Sequence, residues 1–126
     1  MKVRITNNKI RYRLKQPEVE LFRNTGVVTE TLAFGDDGTD QIHFSLASTN
    51  VESINVSFSR NHTTIFVPAA LAAEWTTTDR VGFEAVIVNE KRKTITLLVE
   101  KDFMCMDGRL EDNEGTYPNP QALNGS

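Results

Sequence analysis

The chain has 126 residues, enough for one domain around one hydrophobic core. Apolar residues make up 39% and charged residues 25%, which excludes a disordered or collagen-like chain. A net charge of −3 argues against a nucleic-acid binder held by bulk positive charge, and no apolar run approaches the roughly 20 residues of a membrane helix.

The opening, Met1-Lys2-Val3-Arg4-Ile5-Thr6, is charged and alternating where a signal peptide has a long apolar stretch. The lone cysteine, Cys105, excludes an intramolecular disulfide and fits a reducing compartment. A cytoplasmic location is the expectation.

Val3 and Ile5 alternate with Lys2, Arg4 and Thr6, the period of a half-buried strand. After the turn-prone pair Asn7-Asn8, the alternation resumes with Ile10, Tyr12 and Leu14, predicting a hairpin. Pro17 suits a helix start, Val19 and Phe22 fall on one face, and Gly26 suits the stop. Val27 to Phe34 and Gln41 to Ala47 read as two strands around the loop Gly35-Asp36-Asp37-Gly38-Thr39-Asp40. That loop has the composition of a calcium loop without its ligand order, and reads as an ordinary turn.

The order then recurs. Ile54 to Phe58 and Thr64 to Val67 flank the predicted turn Arg60-Asn61-His62, with His62 expected as an exposed turn residue. Pro68 opens a second helix that can bury Leu71 and Trp75 on one face. Val81 to Val88 and Thr94 to Val99 flank the polar connection Asn89 to Lys93. The expected fold is α+β but mostly β, with about eight strands in a duplicated ββαββ barrel or sandwich, two short helices covering its openings. The expected domain is residues 1–120, with repeats at about 1–48 and 51–100, an acidic segment at 101–120 packed on them, and a flexible tail at 121–126.

Two charged regions need partners. With Asn7-Asn8 as a two-residue turn, Arg4 opposes Arg11 and Lys2 opposes Arg13, and like charges directly opposed are destabilising. No acid precedes Glu18, so relief comes from distant residues, Glu30 or the C-terminal acids, or from an external anion or acidic partner. Arginines in a fixed array bind phosphate or carboxylate through paired hydrogen bonds, which makes these four residues a candidate anion- or partner-binding site. In the acidic segment, Cys105, Asp107, Glu111 and Asp112 form an alternative candidate metal set, completed by His43 or His62 if the fold brings one near. Salt-bridging of the acidic segment to the basic hairpin is the competing structural role.

The stretch Val99-Glu100-Lys101-Asp102-Phe103-Met104-Cys105, followed by Glu111-Asp112 and Tyr117-Pro118-Asn119-Pro120, resembles the ending of a small bacterial family of uncharacterised proteins, a domain of unknown function. Ile10-Arg11-Tyr12-Arg13-Leu14 and Pro68 to Trp75 resemble the same family. The resemblance implies a bacterial cytoplasm and brings no activity, cofactor or catalytic residue.

No Walker loop, dinucleotide fingerprint, nucleophile elbow or metalloprotease helix occurs. The leading expectation is therefore a non-catalytic binding or protein-interaction module, with a homodimer, an acidic protein or a small anionic ligand as candidate partners. A metal-binding protein or metal-dependent hydrolase using the acidic segment is the first alternative, and a phosphometabolite-binding domain using the basic hairpin is the second.

Overall fold

The structure is a computed structural model and describes residues 1–103, 115 and 117. In chain order, β1 (Lys2–Thr6) and β2 (Lys9–Leu14) form a hairpin, α1 (Gln16–Thr25) follows, and β3 (Val27–Ala33) and β4 (Gln41–Thr49) form a second hairpin. The order repeats as β5 (Asn55–Ser59), β6 (His62–Pro68), α2 (Ala69–Thr77), β7 (Gly82–Val88) and β8 (Thr94–Lys101). The strands make two four-stranded sheets, ordered β1-β2-β8-β7 and β3-β4-β6-β5. No strand pairing joins the sheets among the described residues, so the architecture is a sandwich and not a closed barrel.

Each sheet is made from one hairpin of each half, joined at its centre by a parallel pair, β2 with β8 and β4 with β6. The two sheets repeat one another in register at an offset of 53 residues. Tyr12 pairs with Val99, and their counterparts Ile65 and Leu46 pair likewise. Lys2 faces Arg13 as Asn55 faces Phe66, and the Thr96 amide donates to the Asn8 carbonyl as His43 does to Asn61. The two prolines do not follow this register. Pro17 lies in the first turn of α1, whereas Pro68 ends β6 and matches Lys15.

The parallel pairs dictate the ends of the molecule. β2 and β8 start together, as do β4 and β6, so all four hairpin turns gather at one end and both helices pack at the other. The helices meet through Phe22 and Trp75, counterparts in the repeat, with ring centres 6.1 Å apart in an edge-to-face arrangement. Phe83 also packs edge-on against Trp75 at 5.4 Å, and the indole N–H donates to the Val81 carbonyl at 3.0 Å. Such aromatic pairs contribute about 0.5–1.5 kcal/mol each beyond the area they bury. The helices thus plug one opening together and do not cover two.

Between the sheets lie Tyr12, Leu14, Leu97 and Val99 from one side and Val28, Leu46, Ile65 and Val67 from the other. Burial pushes the Tyr12 phenol well above its usual range, against an opposing pull from the Ser45 backbone. Lys101 is buried beside the end of α2, where its ammonium donates to the Thr78 carbonyl at 2.7 Å and lies over the Tyr117 ring. A cation at a helix C-terminus complements the unpaired carbonyls there. Burial lowers its pKa below the ordinary lysine value, while Asp79 acts in the opposite sense. The described part of the C-terminal segment returns to the domain: Tyr117 pairs with Phe103 and donates to the Asp102 carbonyl, and Gly115 accepts from Gln16.

Both short turns need left-handed backbone at two successive residues. Asn7 and Asn8 adopt φ of 50° and 60°, and Arg60 and Asn61 adopt 51° and 61°. Asparagine enters this region more readily than arginine does. Arg60→Asn, which copies Asn7 into its counterpart, is expected to stabilise the fold by about 0.5–1 kcal/mol. A higher midpoint of urea unfolding at unchanged slope is the predicted reading; an unchanged midpoint would show that this turn carries no strain.

Candidate functional site

Pleating of the first hairpin turns Val3, Ile5, Ile10, Tyr12 and Leu14 inward, so Lys2, Arg4, Arg11 and Arg13 share the outer face. Lys2 stands opposite Arg13 and Arg4 opposite Arg11. The four side chains line one shallow recess of about 110 Å³. The structure therefore brings together all four residues of the candidate anion site.

Their counter-charges arrive from the parallel neighbour. Arg13 lies beside Glu100 on β8, and its Nε donates to Glu100 Oε1 at 3.0 Å. The Arg11 guanidinium reaches the same oxygen through Nε and Nη2. Glu100 is held close by Gly82, its partner on β7, where an added Cβ would press on the Val99 carbonyl and lie 2.8 Å from Glu100 Cβ. Lys2 Nζ sits 3.0 Å from Asp102 Oδ2, off the hydrogen-bonding direction, so this buried oxygen has no hydrogen bond among the described residues. Glu30, considered from sequence as a partner, instead accepts from the Met1 amino group at 2.8 Å, alongside Glu18. Arg4 meets no acid among the described residues. Among the described residues four cations thus face two carboxylates.

The repeat supplies an internal comparison. The counterparts of Lys2, Arg4, Arg11 and Arg13 on the other sheet are Asn55, Ser57, Thr64 and Phe66, all uncharged. The counterpart of Glu100 on β4 is Ala47. The same framework carries no lysine or arginine at these four positions, so the cationic array is confined to one of the two sheets.

Residues 1–121 match a family of unknown function, DUF7009. The chain belongs to this family. No curated protein and no solved structure matches the chain. Membership of DUF7009 therefore assigns no role to any residue, and the site is argued from its geometry alone.

In this DUF7009 chain the alternative metal set, Cys105, Asp107, Glu111 and Asp112, lies outside the described residues. The two histidines considered as its completion stand together on the outer face of the other sheet, ring centres 5.3 Å apart. His43 Nδ1 bonds Thr31 Oγ1 at 2.8 Å, and His62 Nε2 bonds the buried Ser45 Oγ at 2.6 Å. His62 is thus the first residue of β6 and half-buried, not an exposed turn residue, because the turn closes in two residues at Arg60-Asn61. Among the described residues no three metal-ligating side chains converge.

The sequence reading missed Glu100. Its signal was present in the alternation of β8, where Glu100 is the one acid on the polar face with Thr94, Thr96 and Leu98. Glu100→Gln removes the charge that both arginines share and is expected to cost about 1–2 kcal/mol in dilute buffer, part of which phosphate restores. Thermal unfolding with and without phosphate checks this. A variant as stable as the parent would mean that the arginines are adequately solvated without Glu100.

Proposed function

We propose that this protein is a non-catalytic binding module that recognises a small phosphate- or carboxylate-bearing ligand through Lys2, Arg4, Arg11 and Arg13. The observation that carries the reading is the recess these four side chains line, with Arg4 and Arg11 directly opposed and, among the described residues, two carboxylates set against them. Opposed like charges on neighbouring strands destabilise by a few tenths of a kcal/mol. A ligand anion between them removes that repulsion and gains charge-assisted hydrogen bonds from guanidinium groups whose planes suit phosphate and carboxylate oxygens. The uncharged counterpart face supports the same reading, since the fold tolerates neutral residues at all four positions.

The chemistry is that of holding an anion. Glu100 orients Arg11 and Arg13 through their shared hydrogen bonds, which lowers the entropy lost when they close on a ligand. Among the described residues no helix is long and apolar enough to cross a membrane.

The test compares the parent with Arg4→Gln. The variant is expected to be more stable by a few tenths of a kcal/mol in dilute buffer, because it removes the repulsion with Arg11. Inorganic phosphate or pyrophosphate is expected to raise the melting temperature of the parent saturably, by about 1.4 kcal/mol of stability at ten times Kd, and to leave Arg4→Gln nearly unmoved. Equal responses of the two proteins to phosphate would refute the assignment.

A further inference from the structure

The end of the sandwich opposite the helices is not filled by the described residues. Ile5 and Phe58, counterparts in the repeat, both occupy inward-facing positions, yet they are 63% and 72% exposed. Inward strand positions in a sandwich normally meet the facing sheet. Here they instead border a cleft of about 810 Å³ between the two sheets, open beside the edge strands β5 and β7. Its floor is apolar, formed by Ile10, Val56, Ile87 and Ile95 together with Ile5 and Phe58. Its rim is polar, with the amides of Asn8, Asn55 and Asn89. Two lysines, Lys9 and Lys91, stand at this rim against one acid, Glu90, and neither forms an ion pair among the described residues.

We propose that this cleft binds an amphipathic small molecule, an acyl or aryl body with an anionic head, seated with its apolar part between the sheets and its acid at Lys9 and Lys91. The volume lies in the range of small-molecule sites, which pair an apolar lining with a few polar groups that fix orientation. At the opposite end Phe22 and Trp75 pack edge to face, and the cavity among the described residues there is smaller, about 160 Å³. The excess of lysine at the rim selects an anionic head over a cationic one, and the apolar floor excludes a free inorganic anion as a sufficient ligand. This site is separate from the arginine recess, since the two share no lining residue.

The experiment is titration calorimetry of the full chain with dodecanoate, with dodecylamine and acetate as comparison ligands. Saturable binding of dodecanoate, with acetate and dodecylamine at least about tenfold weaker, is the expected result. Phe58→Ser, at an exposed position that the fold does not depend on, is expected to abolish binding, with Ile5→Thr as a second variant. The double substitution Lys9→Glu with Lys91→Glu is expected to weaken dodecanoate by about tenfold or more and to improve dodecylamine. Arg4→Gln is expected to leave dodecanoate binding unchanged, which separates this site from the arginine recess. Dodecanoate binding that survives both Phe58→Ser and Ile5→Thr would overturn the proposal. So would a dimer of the parent that Phe58→Ser converts to monomer, because the cleft would then hold a second copy of the chain.

Discussion

The parallel pairing of β2 with β8 and of β4 with β6 is the constraint on which the molecule depends. A parallel pair joins the two halves at the centre of each sheet, so neither half completes a sheet alone. Because the paired strands start together, every hairpin turn falls at one end and both helices at the other. The same pairing sets Glu100 beside Arg13, and so supplies the anion that lets two arginines of one hairpin lie together. The common end of the helices, the common end of the turns and the place of Glu100 all follow from this one arrangement.

The two halves then diverge in what they place on that common frame. Where one sheet carries Lys2, Arg4, Arg11 and Arg13 outward, the other carries Asn55, Ser57, Thr64 and Phe66. The second sheet's outer face is held by side-chain hydrogen bonds, Thr29 to Ser45 to His62 and Thr31 to His43. The first is held by a shared carboxylate under an excess of positive charge. On the proposed reading, a face that is charged where its counterpart is not, and that meets two carboxylates among the described residues, holds repulsion that a bound anion would release. On that reading stability is set against binding at Arg4, the cation without an acid among the described residues.

Much of this was legible in the sequence where the signal is local. Asn7-Asn8 fixes the two-residue turn, and the turn in turn fixes the facing of Arg4 with Arg11 and Lys2 with Arg13. The ββαββ order and its recurrence followed from alternation and from the helix at Val19 and Phe22. What was not legible is what depends on contacts between distant segments. Nothing near Arg11 or Arg13 points to Glu100, because a parallel register between β2 and β8 is set across the whole fold. The common end of the two helices, the bond from His62 to Ser45, and the unfilled cleft at Ile5 and Phe58 are hidden for the same reason. The prolines misled slightly: both mark helix starts, but Pro17 and Pro68 sit two positions apart in the repeat register.

The most direct measurement is a phosphate titration followed by NMR at the arginine Nε–H groups of the intact chain. The account predicts that Arg4, Arg11 and Arg13 shift together along one saturating curve, while Arg60 and Arg92, which lie in turns away from the recess, do not follow it. Shifts that grow linearly and equally at every arginine would show only general screening, and would contradict a built anion site.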